Sequence, residues 1–330
     1  MNRHLIAERC CTMQGIPLLS PQRSALQHQI FRAALERATS DAKTNPEESA
    51  RWALLTAEIA DAMGCGGLMS PDLEALLLEL SGGISRPVRG EPAAHRRWLH
   101  VLSEAYRVGG HTALVARWIT LDPGDDRHSV VLTFMDATAV PEALNAAVLS
   151  KGGTIQALGE VTSLVERARR LREMAWRDFD VVVLHIHMWD VVPVMAFGVA
   201  GGPPVLLLNH ADHTFWLGAT VADSVISIRQ SGQDVTERFR GVNRHEYLPI
   251  PLPSPVEIQS EELPDVRKIL DIPDTAPLFI TVGSHIKYLG IGAVDFIATA
   301  DRLLDRLPEA YLVAVGPMAE HPDWEAARRL

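Results

Sequence analysis

Arg96-Arg97-Trp98-Leu99-His100-Val101-Leu102-Ser103-Glu104-Ala105-Tyr106-Arg107-Val108-Gly109-Gly110-His111-Thr112 is the stretch whose reading decides the fold. The short apolar run from Leu99 to Leu102 reads as a buried strand. Two glycines follow within a short loop, and Ala113 to Ile119 begins a helix. Glycines at such a turn let the backbone come close to a ligand, and the amides of a helix start favour an anion such as a diphosphate. The pair is neither the GxGxxG pattern nor the phosphate loop that ends in Gly-Lys-Ser/Thr. Taken alone, its plainer reading is a tight turn between strand and helix.

Working outward, residues 96–252 alternate strands and helices, the signature of a mostly parallel, doubly wound sheet. Strands are predicted at 98–103, 129–134, 153–157, 181–186, 204–209, 223–227 and 246–249. Helices are predicted at 111–119, 141–150, 160–177, 190–199 and 231–238. The 160–177 segment is the clearest: Val161, Leu164, Val165, Ala168, Leu171 and Ala175 form one stripe, and the opposite face is basic.

Residues 1–95 read as a helical N-terminal extension. Asn45-Pro46-Glu47-Glu48 places a capping residue, then proline, then glutamates. Trp52, Leu55, Ile59 and Met63 then share one face. Ser70-Pro71-Asp72 starts another helix, with Leu73, Leu76, Leu77 and Leu80 as its buried stripe, and Gly82-Gly83 ends it. An appendage or a dimer surface is the default reading, so a homodimer through these helices is expected.

Pro249, Pro251, Pro253 and Pro255 alternate and read as a stiff linker. A second unit, 253–330, follows. Leu278 to Ser284 is a strand that ends in a glycine turn, Val294 to Leu307 a helix, and Ala310 to Gly316 another strand. The roughly 75 residues after the linker are fewer than a doubly wound domain of about five or six strands needs, so this unit reads as partial.

The chain has 330 residues, 47% hydrophobic and 22% charged, which fits two globular domains. Its formal net charge of −10 argues against a broad nucleic-acid surface, which needs a basic excess. Three cysteines, Cys10, Cys11 and Cys65, follow no metal spacing and cannot make a disulfide framework. A reducing, cytoplasmic setting is expected, with the inner-membrane surface as a peripheral alternative. No run reaches the ~18 apolar residues of a spanning helix.

Two predicted strand ends carry histidines. One is Val181-Val182-Val183-Leu184-His185-Ile186-His187-Met188-Trp189-Asp190. The other is Leu208-Asn209-His210-Ala211-Asp212-His213-Thr214-Phe215-Trp216. In an open parallel sheet, ligands bind outside the carboxyl ends of the strands. Both clusters therefore converge with Gly109-Gly110 on one rim. Strand alternation puts His185 and His187 on the same side. His185, His187, His210, Asp212 and His213 include enough ligands for zinc. A second reading buries one histidine and uses the others to cap loops. A third has them bind hydroxyls or phosphates of a substrate, which imidazole suits in either charge state.

These residues together resemble the GT-B-fold glycosyltransferases of the large family 4 type. Gly109-Gly110-His111-Thr112 resembles the family's early Gly-Gly loop near the donor diphosphate. His185-Ile186-His187 resembles its His-x-His segment, whose second histidine lies near the donor sugar. Asn209-His210-Ala211-Asp212-His213 resembles the strand end that faces the acceptor. Leu248-Pro249-Ile250-Pro251 resembles the interdomain linker. Phe279 to Tyr288 resembles the first strand and loop of the nucleotide domain. There Lys287 matches the family's phosphate-binding Lys, and Ser284 stands where an Arg is usual. Ala314-Val315-Gly316-Pro317 resembles the end of the second strand. The family's Glu-x7-Glu segment has no counterpart; Glu320 and Glu325 lack its spacing.

The resemblance implies a glycosyltransferase of retaining type. It takes a UDP- or GDP-linked sugar and passes the sugar to a glycan, lipid or protein acceptor, with no metal or other cofactor. His187, His210 and Asp212 would be catalytic, with Asp212 a base if the enzyme were inverting. Gly109, Gly110, His111, Ser284, Lys287 and Gly316 would hold the donor, and His185, His213 and Trp216 the acceptor. The incomplete second unit keeps a second expectation open, a non-catalytic binding or assembly module. A sugar-nucleotide 2-epimerase and a metal-dependent hydrolase are the remaining alternatives.

Overall fold

A computed structural model of the chain describes residues 21–91, 93–107, 109–250, 265–283, 288 and 295–316. Three helices come first: α1 (Pro21–Asp41), α2 (Pro46–Met63) and α3 (Pro71–Gly82). The capping signals act as read. Asn45 accepts from the Glu48 amide at 3.3 Å and Ser70 from the Leu73 amide at 3.3 Å, each with proline in the first turn.

The alternating segment then runs β1 (Arg97–Leu102), α4 (Gly110–Leu121), β2 (Arg127–Leu132), α5 (Glu142–Ser150), β3 (Ile155–Ala157) and α6 (Leu164–Asp178). It continues with β4 (Val181–His185), α7 (Val191–Phe197), β5 (Val205–Asn209), β6 (Ser224–Ser227), α8 (Gln230–Arg240) and β7 (His245–Tyr247). All seven strands are parallel, in the order β3-β2-β1-β4-β5-β6-β7. The protein is thus α/β with a doubly wound sheet, as the alternation implies. Strand order reverses between β1 and β4, where Leu102 pairs with His185. That reversal opens a crevice between the loops leaving the two strands. The central strands β1 and β4 are buried on both faces, which is why they read as continuous apolar runs.

Residues 24–252 form one compact unit that includes the helices before β1. The helical segment, expected as an appendage, belongs to the sheet's own core. Phe31, Ala53, Leu73 and Leu77 are buried in one cluster with Leu99, Val182, Met195 and Trp216. Polar contacts lock the same junction. Glu47 of α2 joins Ser163 in capping α6, accepting from Ser163 Oγ (2.6 Å) and the amides of Leu164 (3.0 Å) and Val165 (3.1 Å), while Ser163 accepts from the Glu166 amide (3.1 Å). Glu74 of α3 accepts from the amides of Gly218 (2.8 Å), Ala219 (3.1 Å) and Thr220 (2.7 Å). Arg172, which falls within the apolar stripe of α6, is wholly buried. It donates to carbonyls at the ends of α3 and α7: Ser81 (2.9 Å), Met195 (2.8 Å) and Ala196 (2.7 Å). Burial lowers its pKa to about 10, so it keeps its charge where two helix dipoles end.

The described residues from 265 onward belong to a second unit. It contains α9 (Val266–Ile269), β8 (Leu278–Val282), α10 (Phe296–Arg306) and β9 (Tyr311–Val315), with β8 and β9 parallel in register Leu278↔Tyr311. Gly316 closes β9 at φ +107°. A Cβ there would sit 1.9 Å from the Gly283 carbonyl, so only glycine fits beside the end of β8. The proline alternation from Pro251 on, Ser284, Lys287, and Cys10 with Cys11 lie outside the described residues. No helix among the described residues is long and apolar enough to cross a membrane.

Candidate functional site

The crevice between β1 and β4 is lined from three directions. The loop after β1 leads into α4, whose cap is Gly109 at φ +147° and ψ 152°, a conformation essentially reserved for glycine. Among the described residues no side chain caps this helix, and a Cβ on Gly109 or Gly110 would meet nothing within 4 Å. The first amides of α4 thus lack a side-chain acceptor there, an arrangement that suits an anion.

His111 follows in the first turn. Its Nε2 donates to the His185 carbonyl at 2.8 Å, which fixes the tautomer and leaves Nδ1 as a lone-pair acceptor. That Nδ1 is buried without a partner among the described residues, as is Nδ1 of His210. The His111 ring centroid is 4.7 Å from His210 and 6.0 Å from His187. Burial, followed by His210 and His187, drives the His111 pKa down to about 3. Burial also lowers His187 and His210. Three neutral imidazoles therefore face one another at the rim, and their ring nitrogens present hydrogen-bond sites rather than charge.

His187 sits just past the end of β4. Its ring stacks on Tyr106 (5.9 Å, 8° between planes) and meets the edge of Trp189 at 5.2 Å. Its Nδ1 lies 3.9 Å from Glu104 Oε2, and its amide donates to Ser103 Oγ at 2.8 Å. Asp61, at the end of α2, is bonded by Thr214 Oγ1 (3.4 Å), and its charge raises the His187 pKa as that of Glu104 does. Below them Asp190 caps α7 through the Val192 amide (3.0 Å) and accepts from Ser103 (2.6 Å) and Thr133 (2.5 Å). Complete burial raises its pKa to about 6, partly offset by those donors.

Four expected site residues lie elsewhere. β4 ends at His185, so strand alternation does not carry His187 to the same side. The His185 ring is wholly buried and bonds His100 Nδ1 at 2.9 Å. His100 Nε2 meets His128 Nδ1 at 3.0 Å, and His128 Nε2 meets Asp122 Oδ2 at 2.9 Å. His185 is thus the end of a buried chain of side chains, and only its carbonyl serves the rim. Asp212 is ion-paired with Arg229, and the Arg240 guanidinium bonds its carbonyl at 3.2 Å. Gly232 packs against it, since a Cβ there would be 2.9 Å from Asp212 Oδ2. Its carboxylate is thus engaged through Oδ1 by Arg229 and His213. His213 is mostly exposed and lies 3.4 Å from Asp212 Oδ1. Trp216 is buried with the Arg240 guanidinium 4.3 Å over its ring, so it offers no open face to an acceptor. Gly316 belongs to the second unit, which is described by itself.

Glu104, Tyr106, Asp61 and the His100–His128 pair escaped the sequence reading. Asp61 arrives from a helix far from the rim in sequence and carried no local signal. His100 carried one: a histidine inside a buried apolar strand must find a partner. Among the described residues no three His, Cys, Asp or Glu side chains are arranged to hold a metal ion.

Fold and site together define a doubly wound α/β protein with a histidine-lined crevice where its strand order reverses, and a further parallel α/β unit. No family model and no curated protein matches the chain. Among solved structures it is similar to a point variant of the Thermobaculum terrenum O-GlcNAc transferase. The identity is 12% and the TM-score 0.47, covering 92% of this chain and 57% of that one. The chain thus spans little more than half the length of that transferase.

Proposed function

We propose that the protein is a glycosyltransferase of GT-B type that takes a nucleotide-sugar donor. One observation carries this reading. An uncapped helix start with two open glycines stands beside neutral His111, His187 and His210, where strand order reverses. A diphosphate is what helix amides bind best, and neutral imidazoles suit the hydroxyls of a sugar.

In this reading the α4 amides hold the donor diphosphate and stabilise the charge that develops on it as the glycosidic bond breaks. His111, with its ring hydrogen committed to the His185 carbonyl, accepts a hydroxyl hydrogen through Nδ1. His187 and His210 hold neighbouring hydroxyls. The UDP or GDP identity of the donor, the retaining course and independence from metal belong to the same proposal.

The test is calorimetric titration of the full chain with UDP, GDP and their hexose conjugates. Saturable binding of one nucleotide, weakened ~10-fold or more by Gly109→Ala, supports the reading. Absence of binding by all of them moves the reading to a non-catalytic module of the same fold.

A further inference from the structure

The rim has two chemically different ends. Around the α4 start the groups are backbone amides and neutral imidazoles. Around His187 they are carboxylates and open aromatic surface. Tyr106 is 47% exposed, with one face on His187 and its hydroxyl bonded to Glu104, which fixes the two side chains together. The Glu104 side chain remains 33% exposed. Asp61 brings a second carboxylate from the helical segment, and Thr214 orients it. Trp189 completes the aromatic wall, braced edge-on by Phe134 at 4.9 Å.

We propose that Tyr106, Glu104, Asp61 and His187, backed by Trp189, form the subsite for a neutral sugar acceptor. The proposal rests on the glycosyltransferase reading and adds the acceptor's class to it. A pyranose presents apolar C–H faces that pack on an exposed aromatic ring and hydroxyls that donate to carboxylates. Two carboxylates repel a phosphate or a phosphorylated lipid head, so the group seated there carries no anionic charge. His187, held neutral by burial, adds a hydrogen-bond site 3.9 Å from the Glu104 carboxylate. The helical segment therefore contributes to recognition through Asp61, beyond its part in the core.

Saturation-transfer NMR on the full chain tests this with a panel of glucose, galactose, N-acetylglucosamine, cellobiose and chitobiose. The control ligands are inorganic phosphate, and UDP and GDP with their hexose conjugates. Tyr106→Ala and Asp61→Asn are compared with wild type, and thermal melts check that each variant stays folded. The expected result is transfer to the ring protons of at least one saccharide, reduced ~10-fold or more in both variants, with nucleotide binding unchanged. Three results would overturn the proposal. One is no saccharide signal while a nucleotide still binds, which leaves the glycosyltransferase reading standing. Another is a saccharide signal indifferent to both variants. The third is variants that erase only the preference for a nucleotide sugar over its nucleotide, which would give this surface to the donor. Saccharide transfer without any nucleotide binding would keep the subsite and remove the glycosyltransferase reading.

Discussion

His185 Nε2 lies 2.9 Å from His100 Nδ1, with both rings wholly buried. This contact is one link of a chain that runs through His128 to Asp122. The Asp122 carboxylate can only accept, so His128 carries its hydrogen on Nε2 and accepts on Nδ1. His100 then donates from Nε2 and accepts on Nδ1, and His185 donates from Nε2. One carboxylate thus fixes three tautomers in one direction. Proton-detected nitrogen-15 spectra should show the bridging hydrogen on Nε2 of His128, of His100 and of His185. In Asp122→Ala that uniformity should break down. A hydrogen on Nδ1 of His100 in the wild type would contradict the chain.

Acid should unfold the protein early. The folded pKa of His100 and of His111 is about 3, chiefly through burial, against an ordinary value of 6.5. Between those values the unfolded chain binds more protons than the folded one. Stability is therefore full above 6.5 and falls as pH drops, by ~1.4 kcal/mol per pH unit for each such group. Urea unfolding at pH 7.5 and at lower pH, near ~5, should reveal proton uptake of about two from these histidines alone. His185, His187 and His210 shift the same way and add to it, while Asp190, raised by burial to about 6, binds its proton in the folded state and offsets part of it. Flat stability across that range would contradict their burial as neutral groups.

Arg172→Met should be strongly destabilising. It keeps the apolar stem but strips donors from the carbonyls of Ser81, Ile84, Met195 and Ala196 in the core. Each buried acceptor left unpaired costs ~1–3 kcal/mol, so a loss of about 3 kcal/mol or more is expected in chemical denaturation. Arg170→Met on the same helix makes a control, since its pairing with Glu166 is at the surface and worth about 1 kcal/mol or less.

Gly109→Ala separates backbone geometry from side-chain crowding. Nothing stands within 4 Å of the added Cβ, so any effect comes from the φ of +147°. The expected cost is ~1–3 kcal/mol, or a reshaped loop that turns the α4 amides away from the crevice. Thermal melts and the nucleotide titration should both register it. Gly124→Ala, at an ordinary φ with only loose contacts at 3.7 Å and beyond, should leave both unchanged.

The sheet was legible because parallel strands are buried on both faces and read as apolar runs between capped helices. Val181 to His185 and Val205 to Asn209 are the plainest examples. The rim was legible in part. Gly109, Gly110, His111, His187 and His210 follow directly from strand ends and chain order. His185 was misread because one residue of strand length decides whether a side chain faces the crevice or the helix layer. Asp212 and Trp216 were misread because their partners, Arg229 and Arg240, come from β6's loop and α8, and local sequence does not announce such pairings. Asp61 and Glu74 were invisible for the same reason, across a still longer span of chain.

The central claim is that a nucleotide sugar binds at the crevice where strand order reverses. Histidine-ring nitrogen-15 spectra of the full chain, recorded while UDP- and GDP-hexoses are titrated in, test it most directly. The account predicts that the His111, His187 and His210 signals shift together and saturate, while those of His100 and His128, deep in the sheet, stay in place. Binding that leaves the three rim histidines unmoved, or no binding by any of these donors, would contradict it.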